Sequence, residues 1–81
     1  MYPKIIDVKP EDGYTLLVTF DSSEIKRYDL KPKLNDERFE KLKDIFLFKS
    51  VKVDAGGYGI SWDDELDLSE YELWKNSKEA H

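Results

Sequence analysis

Nucleophilic catalysis requires a hydroxyl or thiol beside a base that can take its proton. The chain has no cysteine, six serines and one histidine, His81, at the end of a polar stretch. No serine therefore has an internal histidine partner, nothing marks a Ser–Lys arrangement, and no catalytic residue is expected. The run Gly56-Gly57-Tyr58-Gly59 has the glycine density of a phosphate loop. A dinucleotide fingerprint, however, needs G-x-G-x-x-G between a strand and a helix. Trp62 stands where the third glycine would follow Gly57 and Gly59, and the residues after it read as a strand. No G-x-x-x-x-G-K-[ST] run exists either. Asp63-Asp64-Glu65-Leu66-Asp67 offers the carboxylates that calcium takes. An EF-hand loop begun at Asp63 would need Gly at its sixth position and Glu at its twelfth; those positions hold Leu68 and Trp74. No metal site and no cofactor are expected.

Two constellations remain. The first is Asp54 with Gly56, Gly57 and Gly59. It reads as an architectural turn, its carboxylate bonding backbone amides two residues on. The alternative is a small polar-ligand or enzymatic site, where a carboxylate meets exposed glycine amides. The second constellation is Tyr58, Trp62, Tyr71 and Trp74, interleaved with Asp63, Asp64 and Asp67. Tyrosine and tryptophan dominate binding hot spots, although the same rings would equally serve as core. The surrounding charge favours one kind of partner. Net charge is −5, divided as +1 over residues 1–53 and −6 over residues 54–81. Such an end repels phosphate backbones and attracts a basic protein. Lys31, Lys33, Lys41, Lys43, Lys49 and Lys52 do not make a nucleic-acid patch, because Asp36, Glu37, Glu40 and Asp44 offset them.

These residues must be positioned by a single small domain, since 81 residues leave no room for a second core. Lys4 to Lys9 reads as a strand with Ile6 and Val8 on one side, closed by the turn Pro10-Glu11-Asp12-Gly13. Tyr14, Leu16, Val18 and Phe20 alternate along a second strand, the half-buried period of two. Asp21 to Glu24 joins it to a third strand, Ile25 to Leu30, in which Ile25 and Tyr28 fall on opposite faces unless a bulge intervenes. Asn35 is the expected N-cap of a helix carrying Phe39 and Leu42, with Glu37 pairing with Lys41. Phe46 to Phe48 is expected to plug the core. Val51 and Val53 mark a fourth strand, and Tyr58, Ile60 and Trp62 a fifth, with Gly59 at a bulge or close approach. Ser69 and Glu72 form a capping box, and Leu68 and Leu73 a hydrophobic staple, for a last helix with Tyr71 and Trp74 on one face. Residues 76–81 are expected to fray. The order β-β-β-α-β-β-α, with short connections, predicts an antiparallel α+β domain spanning residues 1–81. No apolar run is long enough for a membrane helix and no signal-peptide segment opens the chain, so a cytoplasmic location is expected.

Val53-Asp54-Ala55-Gly56-Gly57, followed by Gly59-Ile60-x-Trp62 and Asp67-Leu68, resembles the bacterial protein family of unknown function numbered 2442. Tyr2-Pro3, Leu16 to Phe20, Tyr28-Asp29-Leu30-Lys31-Pro32 and the final Ser69-Glu70-Tyr71-Glu72-Leu73 extend the resemblance over nearly the whole chain. It implies strands before the first helix and a hairpin after it, and no established activity, cofactor or catalytic residue. Members are similar to small proteins often encoded beside another small protein of unknown function, family 4160, an arrangement resembling toxin–antitoxin pairs. Some carry a C-terminal helix-turn-helix, which these residues do not include, so operator binding is not expected. Two departures stand out: Ser22-Ser23 replaces the usual Asn-Gly type of turn, and Tyr58 stands where a small residue is common. The expected function is a small cytoplasmic protein-binding module, antitoxin-like, with a basic protein partner and no contact with nucleic acid or membrane.

Overall fold

The computed structural model describes residues 2–80; His81 lies outside them. Two antiparallel sheets enclose one core. The first has strand order β1(Ile5–Glu11), β2(Thr15–Phe20), β3(Ile25–Asp29) and β7(Lys78–Glu79), and the second has β4(Lys52–Val53), β5(Gly59–Asp63) and β6(Leu66–Ser69). One helical turn, α1(Ile45–Phe48), and a longer helix, α2(Glu70–Asn76), complete the α+β domain.

The alternation in β2 is realised as read: Leu16, Val18 and Phe20 are fully buried. In β1 the phase shifts. Ile5 pairs with Phe20 and Asp7 with Thr19, which leaves Ile6 as the extra residue of a bulge. Ile5 and the half-buried Val8 therefore face the core, and Ile6 is 61% exposed. The pairing of β2 with β3 is continuous, with Leu16 opposite Tyr28 and Thr19 opposite Ile25. Tyr28 is buried and Ile25 exposed, on opposite faces and without a bulge.

The connection after β3 is 3₁₀ and not one α-helix. Its first piece, Lys31–Asn35, opens on Pro32 and ends at Asp36, whose extended backbone caps the second piece, Glu37–Lys43. The cap is Asp36 and not Asn35: its carboxylate accepts from the Arg38 amide at 2.9 Å. Asp44 interrupts the backbone again and accepts from the Phe46 amide to start α1. Aspartates at both positions offer the chain local acceptors that compete with a continuous helix. Side chains three apart eclipse in a 3₁₀ turn, so Phe39 and Leu42 still share the buried face. The expected Glu37–Lys41 pair gives way to a longer-range one, Lys41 Nζ to Asp63 Oδ2 at 2.7 Å. Phe48 plugs the core as expected, whereas Phe46 points outward at 82% exposure.

Two strands lie where no strand is expected. Leu66 and Leu68 alternate inward along β6 behind the two-residue turn Asp64-Glu65, held by the Asp63 carboxylate, which accepts from the amides of Glu65 and Leu66. In the tail, where fraying is expected, Lys78 and Glu79 form a strand. Ser77 is extended, β7 pairs with Lys26 and Arg27, and the Ala80 amide reaches the Ile25 carbonyl at 3.1 Å. The open edge of β3 supplies partners for those backbone groups.

Candidate functional site

The turn from Asp54 to Tyr58 is built by its glycines. Gly56 and Gly57 have φ of +82° and +74°, a region that side chains with a Cβ enter only at a cost. The Gly57 amide donates to the Asp54 carbonyl, and the Asp54 amide to the Gly59 carbonyl, both at 2.9 Å. A Cβ on Gly57 would lie 2.5 Å from the Ile5 carbonyl oxygen, and one on Gly59 would lie 2.5 Å from that of Leu68. The turn is thus pressed between β1 and β6, and Gly59 marks a close approach.

The Asp54 carboxylate does not bond the turn amides. Its Oδ1 accepts from the Ser61 hydroxyl at 2.6 Å, across the β4–β5 hairpin. Register places Lys52, Ser61 and Asp67 in one cross-strand row, and the half-buried Asp54, two residues beyond Lys52, reaches Ser61 diagonally. Two surface grooves lie elsewhere: one is lined by Ser23, Glu24, Ile25, Glu79 and Ala80, the other includes Thr15, Arg27, Asp29, Lys31 and Lys78. Asp54, Gly56, Gly57 and Gly59 together act as a tie between strands.

What the turn presents is Tyr58. Its ring lies against Gly56, where a Cβ would approach ring atoms to 2.6 Å. Lys4 Nζ sits 4.3 Å from the ring centroid. The Tyr58 carbonyl accepts from the Glu70 amide at 2.9 Å, which fastens the turn to the start of α2. The ring is nevertheless 62% exposed. Lys4 also pairs with Glu70 Oε1 at 3.0 Å, and next to Glu70 the exposed Tyr71 meets Tyr2 edge-on, centroids 4.8 Å apart. Lys75 donates to the Tyr71 hydroxyl at 2.8 Å. Tyr58 is thus joined to Glu70 through Lys4, and Tyr2 with Tyr71 forms a second exposed aromatic pair.

The two tryptophans are not part of that surface. Trp62 is buried and donates Nε1–H to the Phe48 carbonyl at 2.9 Å. Trp74 is half-buried, edge-on to Phe20, with the Lys26 ammonium 3.7 Å above its ring. Tyr71 and Trp74 therefore face different neighbours, despite their spacing of three. Among the acids, Asp63 is engaged: the Lys41 ammonium, then the Glu65 amide, holds its carboxyl below the usual range. Asp64 and Asp67 are exposed at the β5–β6 hairpin. Ser69 caps α2 by accepting from the Glu72 amide at 3.1 Å, while the Glu72 carboxylate turns to the Tyr28 hydroxyl at 2.8 Å. No residue type or spacing tied Lys4 and Glu70 to Tyr58; only the fold brings them together.

Among the described residues no group of three or more His, Cys, Asp or Glu side chains could hold a metal ion, and no helix is long and apolar enough to cross a membrane. No curated protein and no solved structure matches the chain. A family model described as a protein of unknown function (DUF2442) matches residues 5–79, which include both sheets, the Asp54–Tyr58 turn and α2. The chain belongs to the DUF2442 family.

Proposed function

We propose that the chain is a protein-binding module, the antitoxin-like partner of a small basic protein, and that Tyr58 is its anchor. The observation that carries this reading is a large ring left 62% exposed yet in contact with Gly56 and with the Lys4 ammonium. A preorganised aromatic loses little rotamer freedom on binding, the property of hot-spot residues. Tyr71 and Tyr2 extend the anchor region.

The acidic hairpin lies within reach of the same partner. Strand β6 spans Leu66–Ser69, so five steps of about 3.3 Å put Glu65 of the turn at most about 16 Å from Glu70, which bonds Tyr58. A typical interface of about 800 Å² per partner is about 30 Å across and would cover both. Asp64 and Asp67 then steer a basic partner, and the rings supply affinity. The reading places the protein in a bacterial cytoplasm, acting on a protein and not on nucleic acid.

The experiment is capture of partners on the immobilised domain from native cells, purification of the captured protein, and NMR mapping of the reconstituted complex. Shifts centred on Tyr58, Tyr71 and the β5–β6 hairpin are expected. Shifts confined to the β3–β7 edge would overturn the assignment of this surface.

A further inference from the structure

The protein-binding reading leaves open what the partner places on Tyr58, and the contacts of Lys4 bear on that. The Lys4 ammonium lies over the Tyr58 ring, 4.3 Å from its centroid, and 3.0 Å from Glu70 Oε1. It gives the carboxylate one hydrogen bond. Glu70 Oε2 is buried and has no hydrogen-bond partner, a costly state for a carboxylate oxygen. A planar guanidinium corrects both shortcomings. It delivers two parallel N–H donors to the two oxygens of a carboxylate, and it stacks on an aromatic face better than an ammonium does.

We propose that Tyr58 and Glu70 form an arginine-recognition site, occupied in the free protein by Lys4 and taken over by an arginine side chain of the partner. The proposal deepens the protein-binding reading and rests on it. Lys4 can yield without disturbing the fold around it, because its backbone is held independently. Its amide donates to Asp21 Oδ1 at 3.2 Å, and its carbonyl accepts from the Asp21 amide at 2.8 Å. Because Lys4 is tethered, it competes at an effective concentration in the millimolar range, and this keeps free cations out of the wild-type site.

The test uses the whole chain and capped single residues: N-acetyl arginine, lysine and citrulline methylamides, followed by amide chemical shifts at Tyr58 and Glu70. Lys4→Met should bind the arginine probe at least about tenfold more tightly than wild type, by removing the tethered competitor. Arginine should be preferred over lysine, and citrulline should not bind. Adding Glu70→Gln to Lys4→Met should abolish the binding. Lys4→Arg provides a separate arm that holds even if Lys4→Met fails to fold: an internal guanidinium should raise the melting temperature above wild type. Equal arginine binding with and without Glu70→Gln, or a Lys4→Arg protein that melts at or below wild type, would overturn the site. If Tyr58→Ala abolishes partner binding and Glu70→Gln leaves it unchanged, the arginine site is wrong and the protein-binding reading stands. If the arginine probe binds as expected and no protein partner does, the site stands without that reading.

Discussion

Replacing Gly57 with alanine introduces a methyl where β1 already runs. The new Cβ would lie 2.5 Å from the Ile5 carbonyl oxygen, 3.0 Å from the Ile5 nitrogen and 3.0 Å from Lys4 Cβ. Two of these are backbone atoms of a paired strand and cannot swing aside. Two costs therefore add: about 1–2 kcal/mol for a Cβ at positive φ, and about 1–3 kcal/mol for forcing the turn off β1. The total, about 2–5 kcal/mol, is a large share of the roughly 4–12 kcal/mol expected for a chain of 81 residues. Gly13 provides the internal reference. Its φ of +76° nearly equals the +74° of Gly57, but a Cβ there meets only the Lys31 side chain, at 3.7 Å. Gly13→Ala should cost the first term alone. Gly56→Ala, at +82°, meets the Tyr58 ring at 2.6 Å and must displace that side chain but no backbone, so its stability should fall between those of Gly13→Ala and Gly57→Ala. Urea denaturation of the three variants, with unchanged m-values, measures the differences. A Gly57→Ala protein no less stable than Gly13→Ala would refute the close approach of the turn to β1.

Trp62→Phe keeps most of the buried ring but leaves the Phe48 carbonyl without its donor. It should cost about 1–3 kcal/mol in the same assay. Tyr28 is held above the ordinary tyrosine range by burial first and by the adjacent Glu72 carboxylate second. Its contribution is complete below the unfolded value of about 10 and falls as pH rises past it, because the unfolded chain releases the proton first. Urea midpoints from about pH 8 to about pH 11 should fall more steeply in wild type than in Tyr28→Phe; parallel curves would contradict the buried hydroxyl–carboxylate contact. Reversing Asp64 and Asp67 to lysine should slow association with a basic partner and blunt its salt dependence, with stability little changed. Asp63 is left out of that variant because its carboxylate holds the hairpin turn and pairs with Lys41.

The parts of the fold legible in the sequence are those governed by uninterrupted local periodicity. Leu16, Val18 and Phe20 alternate through a strand with no bulge, and Ser69 with Glu72 marks a helix start realised by a single hydroxyl bond. Ile6 defeated the same reasoning because one inserted residue shifts the phase, and nothing in the residue types around it announces a bulge. Asp36 and Asp44 read as charges that offset the nearby lysines, yet their short carboxylates divided the segment into pieces. β6 was hidden in an acidic run whose turn, Asp64-Glu65, lacks glycine and asparagine, and β7 depends on an edge formed over fifty residues earlier. At the site, the glycines were legible as a turn. The partner of Asp54, the burial of Trp62 and the meeting of Lys4 and Glu70 at Tyr58 were not, because each depends on contacts between separate elements.

The affinity of the purified partner for wild type and for Tyr58→Ala tests the central claim most directly. The ring is mostly exposed, so its removal should leave the melting temperature within a few degrees of wild type. Losing a hot-spot anchor should cost at least about 2 kcal/mol of binding, which raises Kd roughly thirtyfold. Calorimetric titration of the two proteins under one buffer gives both constants. A Tyr58→Ala domain that folds normally and binds its partner as tightly as wild type would contradict the account.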